Sequence, residues 1–185
     1  MTALPHHTFL TGERGVGKST LWRQYLAGAG LVADGFRTVW HPLDDLDASP
    51  RGDADLYLTS VSDDHARYLL ATRRHGLVTP VPDVTAVFDR DGVEILASAG
   101  RRDVILMDEI GSLEAGAVTF QAAVLRLLEG DVPICGVLQA ARRHPSTAAV
   151  KFAEVIQSMP TVTVQEVTKQ NRDTVFAHWL STGGC

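Results

Sequence analysis

The run TGERGVGKST, residues 11–20, places Gly12, Gly17, Lys18 and Ser19 at the spacing G-x-x-x-x-G-K-[S/T], with a further glycine at Gly15. Glycines at these positions let a backbone fold tightly round phosphate groups, so that successive N–H groups point inward as an anion nest. A helix beginning at the lysine adds its free N–H groups and partial positive charge. Lys18 can then set its ammonium on the β- and γ-phosphates of a nucleotide, and Ser19 can offer a hydroxyl ligand to Mg²⁺. Thr20 is placed to hydrogen-bond the α-phosphate. Glu13, Arg14, Gly15 and Val16 fill the free positions, so Gly12–Thr20 is the candidate nucleotide-binding segment. The competing reading is a glycine-rich turn capped by Ser19. An apolar strand before the loop and a helical pattern after it favour the nucleotide site.

A second constellation lies in VILMDEIG. A carboxylate at the end of a buried strand can hold Mg²⁺ through water, which assigns Asp108 with Ser19 to the metal. Glu109 follows and can orient or deprotonate an attacking water; the alternative is that both acids cap a strand-to-helix turn. Arg142 and Arg143 come after the apolar run VPICGVLQ, so they emerge at a sheet edge, where Arg142 can act as an arginine finger in cis. A solvated basic turn is the other reading. Asn171 and Arg172 open the last helical stretch, and asparagine there is a favoured N-cap. TKQNRD does not have the N-K-x-D order of a guanine reader, which argues against a GTP-only site.

These residues need a scaffold. HTFL reads as a buried strand entering the loop, and KSTLWRQYLA as a helix that stops at GAG. GFRTVW, LYLTSV and VTAVF have strand composition, while DDHARYLLATRRHG fits either a helix or a strand pair. DVILMDEIG and VPICGVLQA read as strands buried on both faces, and TVTVQEV as another strand. Phe120, Val124, Leu127 and Leu128 mark one helix face; Phe152, Val155, Ile156 and Met159 mark a second; NRDTVFAHWL is a final helix. Trp22, Trp40 and Trp179 read as core. Strands alternating with helices predict an α/β three-layer sandwich with a predominantly parallel central sheet and helices on both faces.

With 185 residues, 45% of them hydrophobic, the chain suits one domain over 1–185. A net charge of −5 argues against a general nucleic-acid or anionic-membrane binder. Any phosphate site must therefore be built locally. Cys135 reads as a core residue, and two cysteines make no disulfide framework. No run approaches a membrane span, and the N-terminus does not have signal-peptide character, so the expected location is cytoplasmic. His6 and His7 read as a flanking loop. HPLDDLDASPRGDAD is acidic and turn-rich and reads as a loop, or as a surface for a protein partner.

Together, Gly12–Ser19, the run Asp108-Glu109-Ile110-Gly111 with Glu114, VTKQNRD at 167–173, and Gly35, Phe36 and Thr38 in GFRT resemble the small nucleoside-triphosphatases of thermophilic prokaryotes and animals, the latter termed cancer-related nucleoside-triphosphatases. The resemblance covers roughly the first 40 residues and the chain from Asp103 onward. Residues 41–87 depart from the pattern as an aspartate-rich excursion. It implies a P-loop fold and slow, broad-specificity, Mg²⁺-dependent hydrolysis of ATP and other nucleoside triphosphates to diphosphate and phosphate. It also implies a role for Asn171 and Arg172 near the base or ribose. Two other readings are a small kinase using the arginines of RYLLATRRHG as a lid, and a nucleotide-controlled binding module with little turnover.

Overall fold

The computed structural model describes residues 7–43, 52–63, 65–99, 102–139 and 147–182. Its centre is β6 (Val104–Ile110), whose first four residues are all buried and could belong only to an interior strand. Seven further strands extend from it: β1 (His7–Thr11), β2 (Ala33–Pro42), β3 (Ala54–Ser60), β4 (Arg67–Arg74), β5 (Leu77–Pro80), β7 (Ile134–Leu138) and β8 (Val162–Glu166). Their order in the sheet is β5-β4-β3-β2-β6-β7-β1-β8. The pairs β2–β6, β6–β7, β7–β1 and β1–β8 are parallel, and β2–β3, β3–β4 and β4–β5 are antiparallel.

Helices cover both faces. On one face α1 (Lys18–Ala29) packs with α6 (Arg172–Thr182). There Trp22 stacks on Trp179 with centroids 4.4 Å apart, over Leu10, Leu106 and Val137. The opposite face carries α2 (Val84–Val87), a π-helical turn (Phe88–Gly92), α3 (Val93–Ser98), α4 (Val118–Leu128) and α5 (Thr147–Ser158). Phe36, Phe88 and Phe120 form its aromatic centre. Trp22 and Trp179 are core residues, and Trp40 is partly buried against the second cluster. No described helix is long and apolar enough to cross a membrane.

The structure corrects five expectations. VTAVF is helical: the buried face runs Val87, Phe88, Asp91, Gly92, Ile95, Leu96, Ala99, a 3.6-residue repeat that four β-branched and aromatic residues in those five conceal. His7 is no loop residue, because it is fully buried in β1 with Nε2 3.0 Å from the Leu128 carbonyl. Val155 leaves the buried face of α5, at 46% exposed, whereas Phe152 and Ile156 are buried. Cys135 is fully buried, as expected, but disulfide-bonded, its partner lying outside the described residues. DDHARYLLATRRHG is not helical, and it holds one strand rather than a pair: β4 turns through His75 and Gly76 into β5, which lies just beyond the segment.

Candidate functional site

The loop between β1 and α1 takes the conformation that its glycines were expected to allow. Gly12, Gly15 and Gly17 have φ of 133°, 82° and 97°, which side-chain-bearing residues rarely adopt. A Cβ at Gly12 would collide with the Val167 carbonyl, and the Val167 N–H donates to the Thr11 carbonyl at 2.8 Å. The segment after β8 therefore clamps the start of the loop. Gly17 is the N-cap of α1 and brings no side-chain cap, so the first-turn N–H groups keep their donors toward the loop's interior. Val16 is 4% exposed and anchors the loop in the core, while Glu13, Arg14 and Gly15 form its exposed crest.

Lys18 is buried and donates to the carbonyls of Gly12 at 3.0 Å and Glu13 at 2.9 Å. Burial lowers its pKa, and the nearby carboxylates of Glu109 and Asp108 pull it back up. Thr20 is exposed on α1, with its hydroxyl 3.3 Å from an Arg23 guanidinium nitrogen.

β6 delivers the acids. Pairing with β7 steps from Met107↔Gly136 to Ile110↔Leu138, three residues on β6 against two on β7. The irregularity falls on Asp108 and Glu109, as expected of a bulge that re-aims side chains at a strand end. Ser19 donates to Asp108 Oδ1 at 2.8 Å, joining residues 89 positions apart. Burial raises the pKa of Asp108, against the Ser19 hydrogen bond and the positive charges of Arg23, Lys18 and Arg37. Burial also raises that of Glu109, with Lys18 opposing, Asp108 reinforcing and Arg14 opposing. Glu109 keeps an exposed edge while lying low among these groups.

Two residues beside the acids extend the constellation. Glu114 is 2% exposed and accepts a hydrogen bond from the Gly111 N–H; burial pushes its pKa up to about 7. Its role in this turn had no signal in residue type or spacing, only in the family resemblance. Gln139 directly follows β7, the strand between β1 and β6, and donates its N–H to the Ile110 carbonyl at 2.8 Å. Its side chain packs so closely on Gly111 that a Cβ there would clash. A polar residue after the run ICGVL was the available sign of Gln139, since the end of a central strand faces the site.

Arg172 reaches the loop: a Cβ on Gly17 would lie 3.3 Å from its Cδ and Nη1. Arg172 also pairs with Asp173 at 3.2 Å. Asn171 precedes α6, but its side chain turns back, accepting from the Thr168 N–H at 2.8 Å and donating to the Glu166 carbonyl at 3.0 Å. It thereby fixes the turn that presents Arg172. Arg142 and Arg143 lie outside the described residues, as does 44–51 of the acidic excursion. Within RYLLATRRHG, Arg73 stacks on Trp40 and Arg74 pairs with Asp55 at 2.7 Å, so both serve the sheet extension.

On the far side of Ser19 and Asp108 opens a cavity of about 330 Å³. Arg23, Arg37 and Arg67 line it, together with Thr38, Val39, Trp40, His41 and Thr59.

Residues 7–180 match the protein family described as NTPase. The chain is 29% identical to the nucleoside-triphosphatase THEP1 of Methanopyrus kandleri over 92% of its own length and 91% of the relative's. Against the Methanosarcina acetivorans protein of the same name it is 34% identical over 46% and 44% of the two chains. Its fold is similar to that of THEP1 from Aquifex aeolicus, with TM-score 0.66 and 22% identity over 94% of this chain and 97% of that one. A human cancer-related nucleoside triphosphatase aligns with TM-score 0.64 and 25% identity over 95% and 96%.

Proposed function

Since the chain belongs to the NTPase family, we propose that it hydrolyses nucleoside triphosphates to diphosphate and phosphate at the loop Gly12–Thr20 and the acids of β6. The observation that carries this reading is the 2.8 Å contact between Ser19 and Asp108, which closes the phosphate loop against the acidic strand end.

The donor set suits Mg²⁺. Ser19 Oγ and Asp108 Oδ1 are hard oxygens at one point, and burial has left the Asp108 carboxylate short of solvation, which a cation offsets. Among the described residues no group of three or more His, Cys, Asp or Glu converges; this fits a cation that takes its remaining oxygens from phosphate and water. Bound there, Mg²⁺ supplies neutralisation of phosphate charge.

The chain's own groups do the rest. The loop N–H groups and α1 hold the phosphates, and Lys18 exchanges its carbonyl partners for phosphate oxygens. Glu109 orients a water in line with the γ-phosphorus and takes its proton as the new P–O bond forms. The bond to the bridging oxygen breaks, leaving the diphosphate. A carboxylate whose pKa is raised above its ordinary value is a better base than an unperturbed one. Arg172, against Gly17, faces the α-phosphate and ribose side.

The test is phosphate release from ATP, GTP, CTP and UTP with Mg²⁺, alongside equilibrium nucleotide binding. Glu109→Gln is expected to bind nucleotide while turnover falls about 10²- to 10⁴-fold. Lys18→Ala is expected to lose affinity as well. Wild-type turnover in Glu109→Gln overturns the assignment of Glu109.

A further inference from the structure

Lys18 Nζ lies 2.9 Å from the Glu13 carbonyl oxygen, and that carbonyl is bonded to the backbone nitrogen of Arg14. Arg14 therefore starts one peptide away from the ammonium that meets the phosphates, on the exposed crest of the loop. A Cβ on the next residue, Gly15, would meet nothing within 4 Å, so open space lies beside the crest. Among the described residues Arg14 makes no hydrogen bond and no ion pair. Other arginines have structural duties. Arg73 stacks on Trp40, Arg74 pairs with Asp55, Arg90 with Asp91 and Arg172 with Asp173.

The charges near the site divide by the acid on which they act. Burial raises the carboxyl of Glu109, and the positive charges opposing it are Lys18 and, more weakly, Arg14. Burial raises Asp108 as well, and there the Ser19 hydrogen bond, Arg23, Lys18 and Arg37 oppose it. Lys18 acts on both acids, as expected of a group at the γ-phosphate position. Arg14 acts on the hydrolytic acid, whereas Arg23 and Arg37 act on the acid of the metal position. Glu109 also keeps an exposed edge, so a side chain on the crest can approach it from solvent.

Hydrolysis brings a carboxylate and a water against a γ-phosphoryl group that is already anionic. Like charges at contact distance raise the cost of that approach. A guanidinium between them offsets the cost, and its fork matches two phosphoryl oxygens. As the water oxygen bonds to phosphorus its proton passes to Glu109, and the bridging oxygen leaves with the electron pair of its bond. Arginine keeps its protons throughout, so its charge is present wherever negative charge develops.

We propose that Arg14 is a catalytic arginine carried by the phosphate loop itself, its guanidinium contacting the γ-phosphoryl oxygens beside Glu109. The inference rests on the triphosphatase reading for the reaction, and it gives Arg14 the part expected of Arg142.

The experiment measures kcat and KM for phosphate release from ATP with Mg²⁺. Alongside it runs equilibrium binding of AMP-PNP, a ground-state analogue, and of ADP with aluminium fluoride, which mimics the transferring phosphoryl group. Among the described non-glycine residues positive φ occurs at His75 and not at Arg14, so Arg14→Ala and Arg14→Lys leave the loop backbone unstrained. Arg14→Ala is expected to lower kcat about 10²- to 10³-fold while AMP-PNP affinity stays within about threefold of wild type. ADP with aluminium fluoride should bind that variant about 10²-fold more weakly. Arg14→Lys should regain part of kcat. Wild-type kcat in Arg14→Ala, or a loss confined to AMP-PNP affinity and KM, overturns the assignment. A larger fall in kcat for Arg142→Ala than for Arg14→Ala returns the part to Arg142 and overturns it too. A wild type that releases no phosphate fails the triphosphatase reading and this inference with it. Turnover by the wild type with Arg14→Ala unchanged fails this inference alone.

Discussion

Replacing Glu114 by glutamine separates the energetic cost of a buried acid from its structural contact. Glu114 is 2% exposed, and its carboxyl is raised from an ordinary 4.5 to about 7. Burial is the leading cause, with the charge of Glu109 adding to it and hydrogen bonds from the Gly111 and Glu114 backbones opposing it. A carboxyl whose pKa is higher in the folded state binds more protons there than in the unfolded chain across that interval. Stability then falls as pH rises from about 4.5 to about 7 and levels off above it. The full interval corresponds to about 3 kcal/mol, a large share of the roughly 5–15 kcal/mol that holds a domain folded. Glutamine keeps an oxygen to accept from Gly111 but never ionises. Denaturant unfolding of both proteins at a series of pH values gives the difference directly. Glu114→Gln should match the wild type near pH 4 and gain up to about 3 kcal/mol over it by pH 8. Asp108 and Glu109 are also raised, but they contribute to both proteins and largely cancel. A difference that stays flat from pH 5 to pH 8 refutes the assignment of a buried, titrating Glu114.

Two further outcomes are expected. Arg172→Ala removes the guanidinium beside Gly17 and should raise KM for ATP several-fold with kcat little changed, measured by steady-state phosphate release. Trp179→Ala removes the ring stacked on Trp22 at 4.4 Å and should cost about 3–5 kcal/mol in denaturant unfolding, since the 3% exposed site cannot refill with water.

The parts of the site that a short motif encodes were legible in the sequence. The Gly12–Ser19 spacing and the acids after VILM state a local backbone need and a local charge, and each lies within eight residues of chain. β6 and β7 were legible because burial on both faces leaves an unbroken apolar run. What was not legible depends on register. Arg37 and Arg67 are thirty residues apart and share a row only because β2, β3 and β4 pair as they do. Gln139 packs on Gly111, a contact that only the pairing of β6 with β7 creates. The helical run after Val84 was missed for a local reason: its β-branched start imitates a strand, and its buried repeat shows only across the sixteen residues to Ala99.

The clamp on the phosphate loop also sets an order of events during synthesis. β1 is made first, yet both of its sheet neighbours, β7 and β8, come more than a hundred residues later. Val167 seals Gly12, Arg172 backs Gly17, and Trp179 completes the packing of Trp22. A growing chain that has released only its first half has the motif but not the walls that shape it. Such distant closure favours slow folding, because the loop entropy is lost before its contacts form. Capacity to bind nucleotide should appear abruptly, once residues 162–179 have docked.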